Sequence, residues 1–335
     1  MDDAAAALAR QVHVHYEDTP LPAALGPSRL SYIAALAARY ARAVLPVDPV
    51  HGRDAVALEA LALWLSLLWA VDGIFDACRA VTRAADVQAL ARVLGTTLPA
   101  TTPTIHSPRI TPPHPLLAAL LVTAQAVMPR YRRLMRDYVP HRPLLVTFLD
   151  ARLGAYLRTV RDDQVPALGM YAPWRNDSGA MDCVMAHVLL FSRTGYRLNA
   201  AVLRKLSLVG LAVSLYNDLV SLPRDVHQHT PNLVTMLRQH DPACADDMWA
   251  AMHAAVAQVD AHVAEARTAR YGPLAEVALQ ILNGSLAWHQ HEPRYADGIL
   301  LLDAARADDI GAFYALLAPR SPVVTPGDPV SVKED

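Results

Sequence analysis

Apolar residues recur every three to four positions along most of the chain, which is the spacing of one face of an α-helix. The strict alternation that is typical of half-buried strands is absent from the sequence. The pattern predicts helices over residues 28–44, 52–80, 84–96, 114–136, 142–161, 177–196, 199–222, 242–270 and 272–290. Residues 299–318 form a further apolar, helix-like segment, which either covers a site or packs on a neighbour.

Proline-rich stretches separate the predicted helices, at residues 20–27, 45–49, 98–115 and 321–329. Because proline favours loops, we interpret these stretches as surface connections and a tail. No internal repeat is visible, and residues 98–115 are interpreted as a long connection within one bundle rather than a linker between domains. The sequence therefore predicts a single all-α domain of about ten helices over residues 1–318, followed by a disordered tail over 319–335.

The composition indicates a large core and little net charge. Of the 335 residues 53% are hydrophobic, and the net charge of −2 gives no electrostatic footprint for nucleic acid or an anionic membrane. Cys78, Cys183 and Cys244 lie far apart, as in proteins of reducing compartments. The N-terminus lacks the basic start of a signal peptide, and the longest apolar run, near residues 61–71, is too short to span a bilayer. We expect a cytoplasmic protein without membrane insertion.

Polar residues interrupt the apolar pattern at regular spacing in two places. In YNDLVSLPRD, residues 216–225, the side chains of Asn217, Ser221 and Asp225 are four positions apart. The longest apolar run ends in VDGIFDACR with Asp72 and Asp76, which are also four apart. Residues at this spacing share one face of a helix. Each cluster therefore presents its oxygens on one side, either to solvent at a helix end or to a common ligand.

The chemistry of these side chains favours a hard cation. Carboxylate, amide and hydroxyl oxygens are the ligands of Mg²⁺, which also keeps substrate phosphates in its shell. Two carboxylates at helical spacing repel each other, so a metal ion or an arginine such as Arg79 would have to compensate them. A phosphate at the rim of an apolar bundle fits an amphiphilic substrate. We therefore hypothesise a prenyl diphosphate as the ligand.

The residues resemble the motifs of bacterial class I terpene synthases. The Asn217-Asp-x-x-Ser221-x-x-Arg224-Asp225 stretch is similar to that family's metal-binding triad, and Asp72-Gly-Ile-Phe-Asp76 resembles its aspartate-rich motif. YAPWRNDSG, residues 171–179, is similar to the segment that carries the diphosphate-sensing arginine. HEPRYADG, residues 291–298, resembles the segment with the C-terminal Arg-Tyr pair, and HTPNLVTML, residues 229–237, the one with the Asn-Leu pair.

The resemblance implies a fold and an activity. The fold would be a single-domain, class I terpenoid synthase-like helical bundle around an apolar cavity. The activity would be Mg²⁺-dependent ionisation of geranylgeranyl or farnesyl diphosphate, followed by cyclisation to a di- or sesquiterpene. The implied partners are the prenyl diphosphate and three Mg²⁺ ions, with a homodimer left open and no nucleic acid.

The resemblance also implies a role for each matching residue. Arg175 would be the sensor, Ser178 the linker and Gly179 the effector. The implied catalytic residues are Asp72, Arg175, Gly179, Arg294 and Tyr295. The implied metal ligands are Asp72, Asp76, Asn217, Ser221 and Asp225. The implied diphosphate contacts are Arg175, Arg224, Arg294 and Tyr295. The candidate cavity aromatics, each of which is otherwise an ordinary core residue, are Trp69, Phe75, Phe191, Tyr216 and Trp288.

Three positions depart from the family's pattern. Gly73 replaces an aspartate, which leaves Asp72, alone or with Asp76, to bind metal there. Asp225 replaces the commoner glutamate, and Pro223 either kinks the triad helix or ends it. Two alternatives therefore stay open: a prenyl chain-elongating synthase, which normally has two aspartate-rich motifs, and a catalytically degenerate helical binding protein. The His-x-His patterns at 13–15, 227–229 and 289–291 are interpreted as solvated surface.

Overall fold

The computed structural model describes residues 3–45, 52–78, 82, 84–95, 114–138, 143–162, 165–191 and 199–318, and these residues form helices without β-strands. The helices are α1 (Asp3–Val14), α2 (Leu21–Leu25), α3 (Pro27–Val44), α4 (Gly52–Ala77), α5 (Ala84–Leu94), α6 (Pro115–Leu134), α7 (Pro143–Asp162), α8 (Leu168–Ser178), α9 (Met181–Phe191), α10 (Ala200–His227), α11 (Leu233–His240), α12 (Met248–Thr268), α13 (Ala275–His291), α14 (Ala296–Arg306) and α15 (Ile310–Leu317). Short 3-10 turns at Pro242–Cys244, Gly272–Leu274 and Pro293–Tyr295 lie before α12, α13 and α14.

The all-α prediction is confirmed, with differences at particular boundaries. The helix predicted over 177–196 is wrong at its start, because α8 ends at Ser178 and α9 begins at Met181 after a break at Gly179 and Ala180. The helix predicted over 242–270 begins at Met248, where Asp247 caps it. Four helices were not predicted: α1 lies in the alanine-rich start of the chain, α8 lies almost wholly before the predicted 177–196 helix, and α2 and α11 have only 5 and 8 residues. Within the described ranges the count therefore rises from about ten to fifteen.

The core is built around α4, α9 and α10. Every residue of α9 is buried, and a helix that is apolar on all sides has to be covered on all sides. α9 accordingly contacts α4, α7, α8, α10 and α13, while α3, α12 and α13 complete the wall around α4 and α10. This arrangement brings the C-terminal ends of α4 and α10, which carry the two polar clusters, to the same bundle.

Two helices reach the length and apolar character of a membrane span, residues 54–77 of α4 and 201–227 of α10. In each of them 72% of the most apolar stretch is buried inside the protein. Core helices of a helical bundle have this composition, because they pack against other helices on every side. The two helices are therefore weak indicators of a membrane, and their burial fits a role in the core.

The segment 299–318 packs on the chain's own α10 and α12. In α14 the buried face includes Leu301 and Leu302, and Gly298 in its first turn approaches the backbone of α10 at Val220. Phe313 of α15 is fully buried, with its ring edge-on to Trp249 of α12 at a centroid distance of 4.8 Å. Residues 299–318 thus extend the bundle behind α10. The predicted tail over 319–335 lies outside the described residues.

Candidate active site

The polar face of α10 is continuous because the helix runs through Pro223 and ends at His227. Proline removes one backbone hydrogen bond and bends the axis, but it does not end this helix. Asn217, Ser221 and Asp225 therefore keep their helical spacing. Ser221 and Asp225 are buried, with 1% and 3% exposure, and the Ser221 hydroxyl donates to Asp225 Oδ2 at 2.5 Å.

The carboxylate of Asp225 accepts hydrogen bonds on both oxygens. Oδ1 accepts from Arg224 Nη2 at 2.9 Å and Nε at 3.2 Å. Oδ2 accepts from Asn232 Nδ2 at 2.9 Å, in addition to the Ser221 hydroxyl. Asn232 also caps α11, since its Oδ1 accepts from the Val234 amide at 3.0 Å. The Asn-Leu pair that follows the triad therefore fixes Asp225 to the start of the next helix.

Arg175 of α8 lies at the centre of a second network. Its Nε donates to Asp218 Oδ1 at 2.7 Å and its Nη2 donates to Asn217 Oδ1 at 2.9 Å. The Asn217 amide nitrogen in turn contacts the Tyr295 hydroxyl at 2.9 Å and His289 Nε2 at 3.1 Å. Burial disfavours the charged form of Arg175, but Asp218, Tyr171 and Asp225 together outweigh this effect and raise the pKa of the guanidinium. The network joins α8, α10, α13 and the 293–295 turn.

The break between α8 and α9 follows directly after Arg175. Ala180 has a φ of 52°, in the left-handed region, and the Gly179 amide closes α8 by donating to the Arg175 carbonyl oxygen at 2.9 Å. A Cβ atom on Gly179 would lie 2.6 Å from Ser214 Oγ, which is closer than side chains pack. Glycine at 179 therefore lets the break approach α10. The resemblance implies a helix break at this position, and the effector role of Gly179 stays a prediction.

Asp72 and Asp76 lie at the C-terminal end of α4 and are both exposed. Burial by the surrounding protein and the charge of Asp76 raise the pKa of Asp72 to about 6, while Arg175, Arg224 and Arg294 act in the opposite direction. The three arginines are therefore close enough to act on the charge of Asp72, which brings the end of α4 near Arg175 of α8, Arg224 of α10 and Arg294 of the 293–295 turn. Arg79 lies outside the described residues.

The turn at Pro293–Tyr295 forms the rim above α13. The Tyr295 ring is buried at 4% exposure, and the guanidinium carbons of Arg294 and Arg224 lie over it at 4.8 and 5.9 Å from its centroid. The preceding Glu292 is also buried and makes a two-pronged ion pair with Arg39 of α3, with both N···O distances 3.0 Å. This tether fixes the Arg-Tyr pair to the body of the bundle.

Two of the predicted aromatic residues meet beneath this rim. The rings of Trp69 and Trp288 are nearly parallel, with centroids 6.0 Å apart, and Trp288 packs edge-on against Tyr295 at 5.8 Å. Tyr40 of α3 joins them, with its ring 4.8 Å from that of Trp288 and its hydroxyl hydrogen-bonded to Ser285. The structure therefore builds an aromatic cluster of Tyr40, Trp69, Trp288 and Tyr295 next to the polar network.

The other three predicted aromatics differ in how they relate to this cluster. Phe191 at the end of α9 packs edge-on against Tyr138 at 4.8 Å. The Tyr216 ring lies edge-on to His289 at 6.0 Å, and the His289 ring in turn contacts Trp288 of the cluster at 4.9 Å. Phe75 is buried near the end of α4 with 6% exposure.

Several residues of the assembly were not predicted from the sequence. Asp218 and Tyr171 anchor Arg175, and the hydroxyl of Tyr156 on α7 faces Asp72 without a well-formed hydrogen bond. His289, interpreted as solvated surface, is instead buried at 5% exposure, and burial lowers its pKa to about 4. That interpretation is wrong because position 289 is on the inner face of α13. An aspartate inside an apolar run, as at 218, was the signal available for a buried ion pair.

Whether a metal-binding group is present depends on whether amide and hydroxyl oxygens are included as ligands beside carboxylates. Among the described residues no three His, Cys, Asp or Glu side chains gather into a metal-binding group. The clusters here combine Asp225 with the amide of Asn217 and the hydroxyl of Ser221, across from Asp72. A separate surface cleft of about 500 Å³ lies behind Asp225, between α11 and residues 165–167, and shares no other residue with these clusters.

Fold and site together define the class of protein. It is an all-α bundle in which carboxylates, an amide oxygen and arginines gather at one end of an apolar core. A family model described as terpene synthase family 2, C-terminal metal binding, matches residues 63–268. The match covers more than half of the chain, and the protein belongs to this terpene synthase family. It spans Asp72, Arg175 and the triad on α10, while Arg294 and Tyr295 follow it. No curated protein matches the chain significantly.

Proposed function

We propose that this terpene synthase is a class I cyclase. It would ionise geranylgeranyl or farnesyl diphosphate and cyclise the carbocation to a di- or sesquiterpene, with release of diphosphate. The observation that carries the proposal is that three arginines lie against the polar cluster at one end of an apolar bundle: Arg175 donates to Asn217, Arg224 donates to Asp225, and Arg294 lies over the Tyr295 ring. A diphosphate there would meet cationic donors, and a prenyl chain would meet apolar surface.

The residues present fit Mg²⁺. Oxygen ligands of this ion lie about 3 Å apart around an octahedral centre, and the Ser221 and Asp225 oxygens are already 2.5 Å apart. We propose Asp72, Asp76, Asn217, Ser221 and Asp225 as the ligands, with three ions expected when substrate is present. When bound, Mg²⁺ neutralises charge on the diphosphate oxygens.

The chain's own residues would orient the leaving group. Arg175, Arg224 and Arg294 present planar N–H forks, which suit phosphate oxygens, and the Tyr295 hydroxyl adds a donor. Donors that are already placed favour the charge that develops as the allylic C–O bond breaks. Gly179 on the helix break would bring its backbone next to the reacting end of the chain.

The aromatic cluster and the apolar core would act on the carbocation. Aromatic faces attract cations, and tryptophan does so most strongly, which makes Trp69 and Trp288 the proposed residues for cation stabilisation. Exclusion of water from this region protects the cation from premature capture. Tyr216 reaches this cluster through the His289 ring and stays a candidate, as do Phe75 and Phe191. We propose residues 1–318 as the catalytic domain and the cytoplasm as its location.

The experiment is a product assay with two substrates. Purified protein is incubated with farnesyl and with geranylgeranyl diphosphate and Mg²⁺, and extracts are analysed by gas chromatography with mass spectrometry. A cyclic hydrocarbon or alcohol that disappears when Mg²⁺ is chelated supports the proposal. A longer linear diphosphate, made when isopentenyl diphosphate is added, would identify a chain-elongating synthase. No turnover of either substrate would favour the degenerate binding protein.

A further inference from the structure

Asp218 lies directly after the proposed metal ligand Asn217, but its carboxylate binds Arg175. It is fully buried, and a buried carboxylate is costly unless it is paired and hydrogen-bonded. Three donors compensate it. Arg175 Nε donates to Oδ1 at 2.7 Å, and the Tyr171 hydroxyl and the Leu233 amide donate to Oδ2 at 2.7 and 3.0 Å.

The nitrogens of the Arg175 guanidinium bind different partners. The Nε edge is held by Asp218, whereas Nη2 donates to Asn217 Oδ1 at 2.9 Å. Nη1 makes a long contact to the Ser178 hydroxyl, at 3.5 Å. Because a guanidinium is planar and rigid, holding Nε keeps the group in the site and limits Nη1 and Nη2 to a swing about the Nε hydrogen bond.

We propose that Asp218 is a positioning residue that acts as the pivot of Arg175, and that its three-donor anchor determines how well the protein binds diphosphate. The proposal rests on the proposed function, in which Arg175 contacts the diphosphate. Asp218 touches neither metal nor substrate in this scheme. It keeps Nε in place while Nη2 moves from the Asn217 amide oxygen to a phosphate oxygen.

The anchor also joins the pivot to two other elements. Tyr171 comes from the same helix as Arg175, one turn earlier, and the Leu233 amide is the first of α11. The backbone carbonyl of Asp218 accepts from Asn232 Nδ2 at 2.7 Å, and Asn232 also holds Asp225. The positions of Arg175 and of the triad carboxylate are therefore set by the same junction of α8, α10 and α11.

The test is a double-mutant cycle on diphosphate binding. Binding of inorganic diphosphate with Mg²⁺ is measured by calorimetry for wild type, Asp218→Asn, Arg175→Ala and the double variant. An amide at 218 offers one acceptor and an N–H pair, so it cannot serve all three donors. We expect Asp218→Asn to weaken binding about tenfold, and to have almost no further effect when Arg175 is already alanine.

A control variant separates positioning from general loosening of the helix break. Asp182 is a comparably buried carboxylate at the start of α9, paired with Arg152 at 3.3 Å and not with Arg175. The effects of Asp182→Asn and Arg175→Ala should be additive. If Asp218→Asn does not fold, Tyr171→Phe removes a single donor from the anchor, and we expect it to weaken binding about threefold with the same dependence on Arg175.

The outcomes distinguish the two proposals. A wild-type protein that neither binds diphosphate with Mg²⁺ nor turns over a prenyl diphosphate overturns the proposed function. A wild type that does both, with additive effects of Asp218→Asn and Arg175→Ala, overturns the pivot alone. Binding unchanged by Asp218→Asn would do the same.

Discussion

A single methyl group at Gly298 would separate α14 from the helix that carries the triad. A Cβ atom built there lies 1.8 Å from the carbonyl oxygen of Val220 and 2.4 Å from its carbonyl carbon. Both atoms belong to the backbone of α10, so no side-chain rotation relieves the clash. In the Gly298→Ala variant the two helices have to move apart by about 1.7 Å to restore an ordinary contact of ~3.5 Å.

The loss of stability follows from the packing contacts that this movement opens. Leu301 and Leu302 of α14 are at most 1% exposed, and a gap of even ~1 Å forfeits up to about half of the dispersion energy of the contacting atoms. Overpacking of this kind costs about 1–3 kcal/mol and occasionally more. Since Val220 lies between the proposed ligands Asn217 and Ser221, the same movement disturbs the polar face. We expect Gly298→Ala to cost about 3 kcal/mol and to lower turnover roughly tenfold.

The control uses the same substitution at a different glycine. Gly169 lies in the first turn of α8 and has no atom within 4 Å of an added Cβ, so Gly169→Ala should stabilise by about 0.5–1 kcal/mol. Urea unfolding of both variants measures the difference, and product formation measures turnover. If Gly298→Ala unfolds at the wild-type urea concentration, the close approach of α14 to α10 is not a feature of the folded protein.

Three further predictions use other parts of the structure. Poor solvation by the surrounding protein and the charge of Asp76 raise the pKa of Asp72 from 3.8 to about 6, so its ionised form destabilises the fold above this pH. Asp72→Asn should then add about 1 kcal/mol at pH 8, allowing for solvent screening, and this gain should shrink as the pH falls from 6 to 4 in urea titrations. Glu292→Gln breaks the buried pair with Arg39 and should cost about 2–4 kcal/mol by urea unfolding, whereas Arg306→Gln, in an exposed pair, should cost at most ~0.5 kcal/mol. Phe313→Ala should cost about 3–5 kcal/mol in the same assay if α15 belongs to the folded domain, and a wild-type value would exclude that.

The fold was predictable to the extent that helices are amphipathic or apolar over long stretches. The run before Asp72 was identified because ten of the eleven residues at 61–71 are apolar, which is longer than a typical strand and fits a buried helix. The apolar pattern did not predict the break at Gly179, because apolar periodicity continues on its C-terminal side and one glycine signals a break only weakly. Only the resemblance implied a helix break there. The continuation of α10 beyond Pro223 was equally undetermined, since a proline kink and a helix end have the same local sequence.

The site was predictable where ligands share a helix and not where partners come from different helices. Spacing alone grouped Asn217, Ser221 and Asp225, because a helix converts four positions into one face. No spacing rule connects Asp218 to Tyr171, which is 47 positions away. Their pairing depends on how α8 packs against α10, and that packing is set by the whole core. Buried His289 was misassigned for the same reason.

Arginines and proposed metal ligands pair with each other in the ligand-free protein. Arg175 donates to Asn217 Oδ1 and Arg224 to Asp225 Oδ1. Two of the oxygens that Mg²⁺ would need therefore already accept from cations, which supply the charge balance that a buried carboxylate requires. An Mg²⁺ ion that binds alone has to displace both arginines from these oxygens. The displaced arginines then have no new anionic partner. A diphosphate offers these arginines a new anionic partner.

Mg²⁺ and diphosphate should therefore bind together more tightly than either binds alone. Coupling of this kind is typically about 1–3 kcal/mol, or about 5- to 150-fold in affinity, and must be the same in both directions. Calorimetry with Mg²⁺ at saturating and at zero inorganic diphosphate measures it, and the reverse titration checks the reciprocity. Arg224→Gln frees Asp225 from its cation, so Mg²⁺ alone should bind this variant better and the coupling should shrink. Equal affinity for Mg²⁺ with and without diphosphate in the wild type would show that the arginine pairs do not oppose the ion.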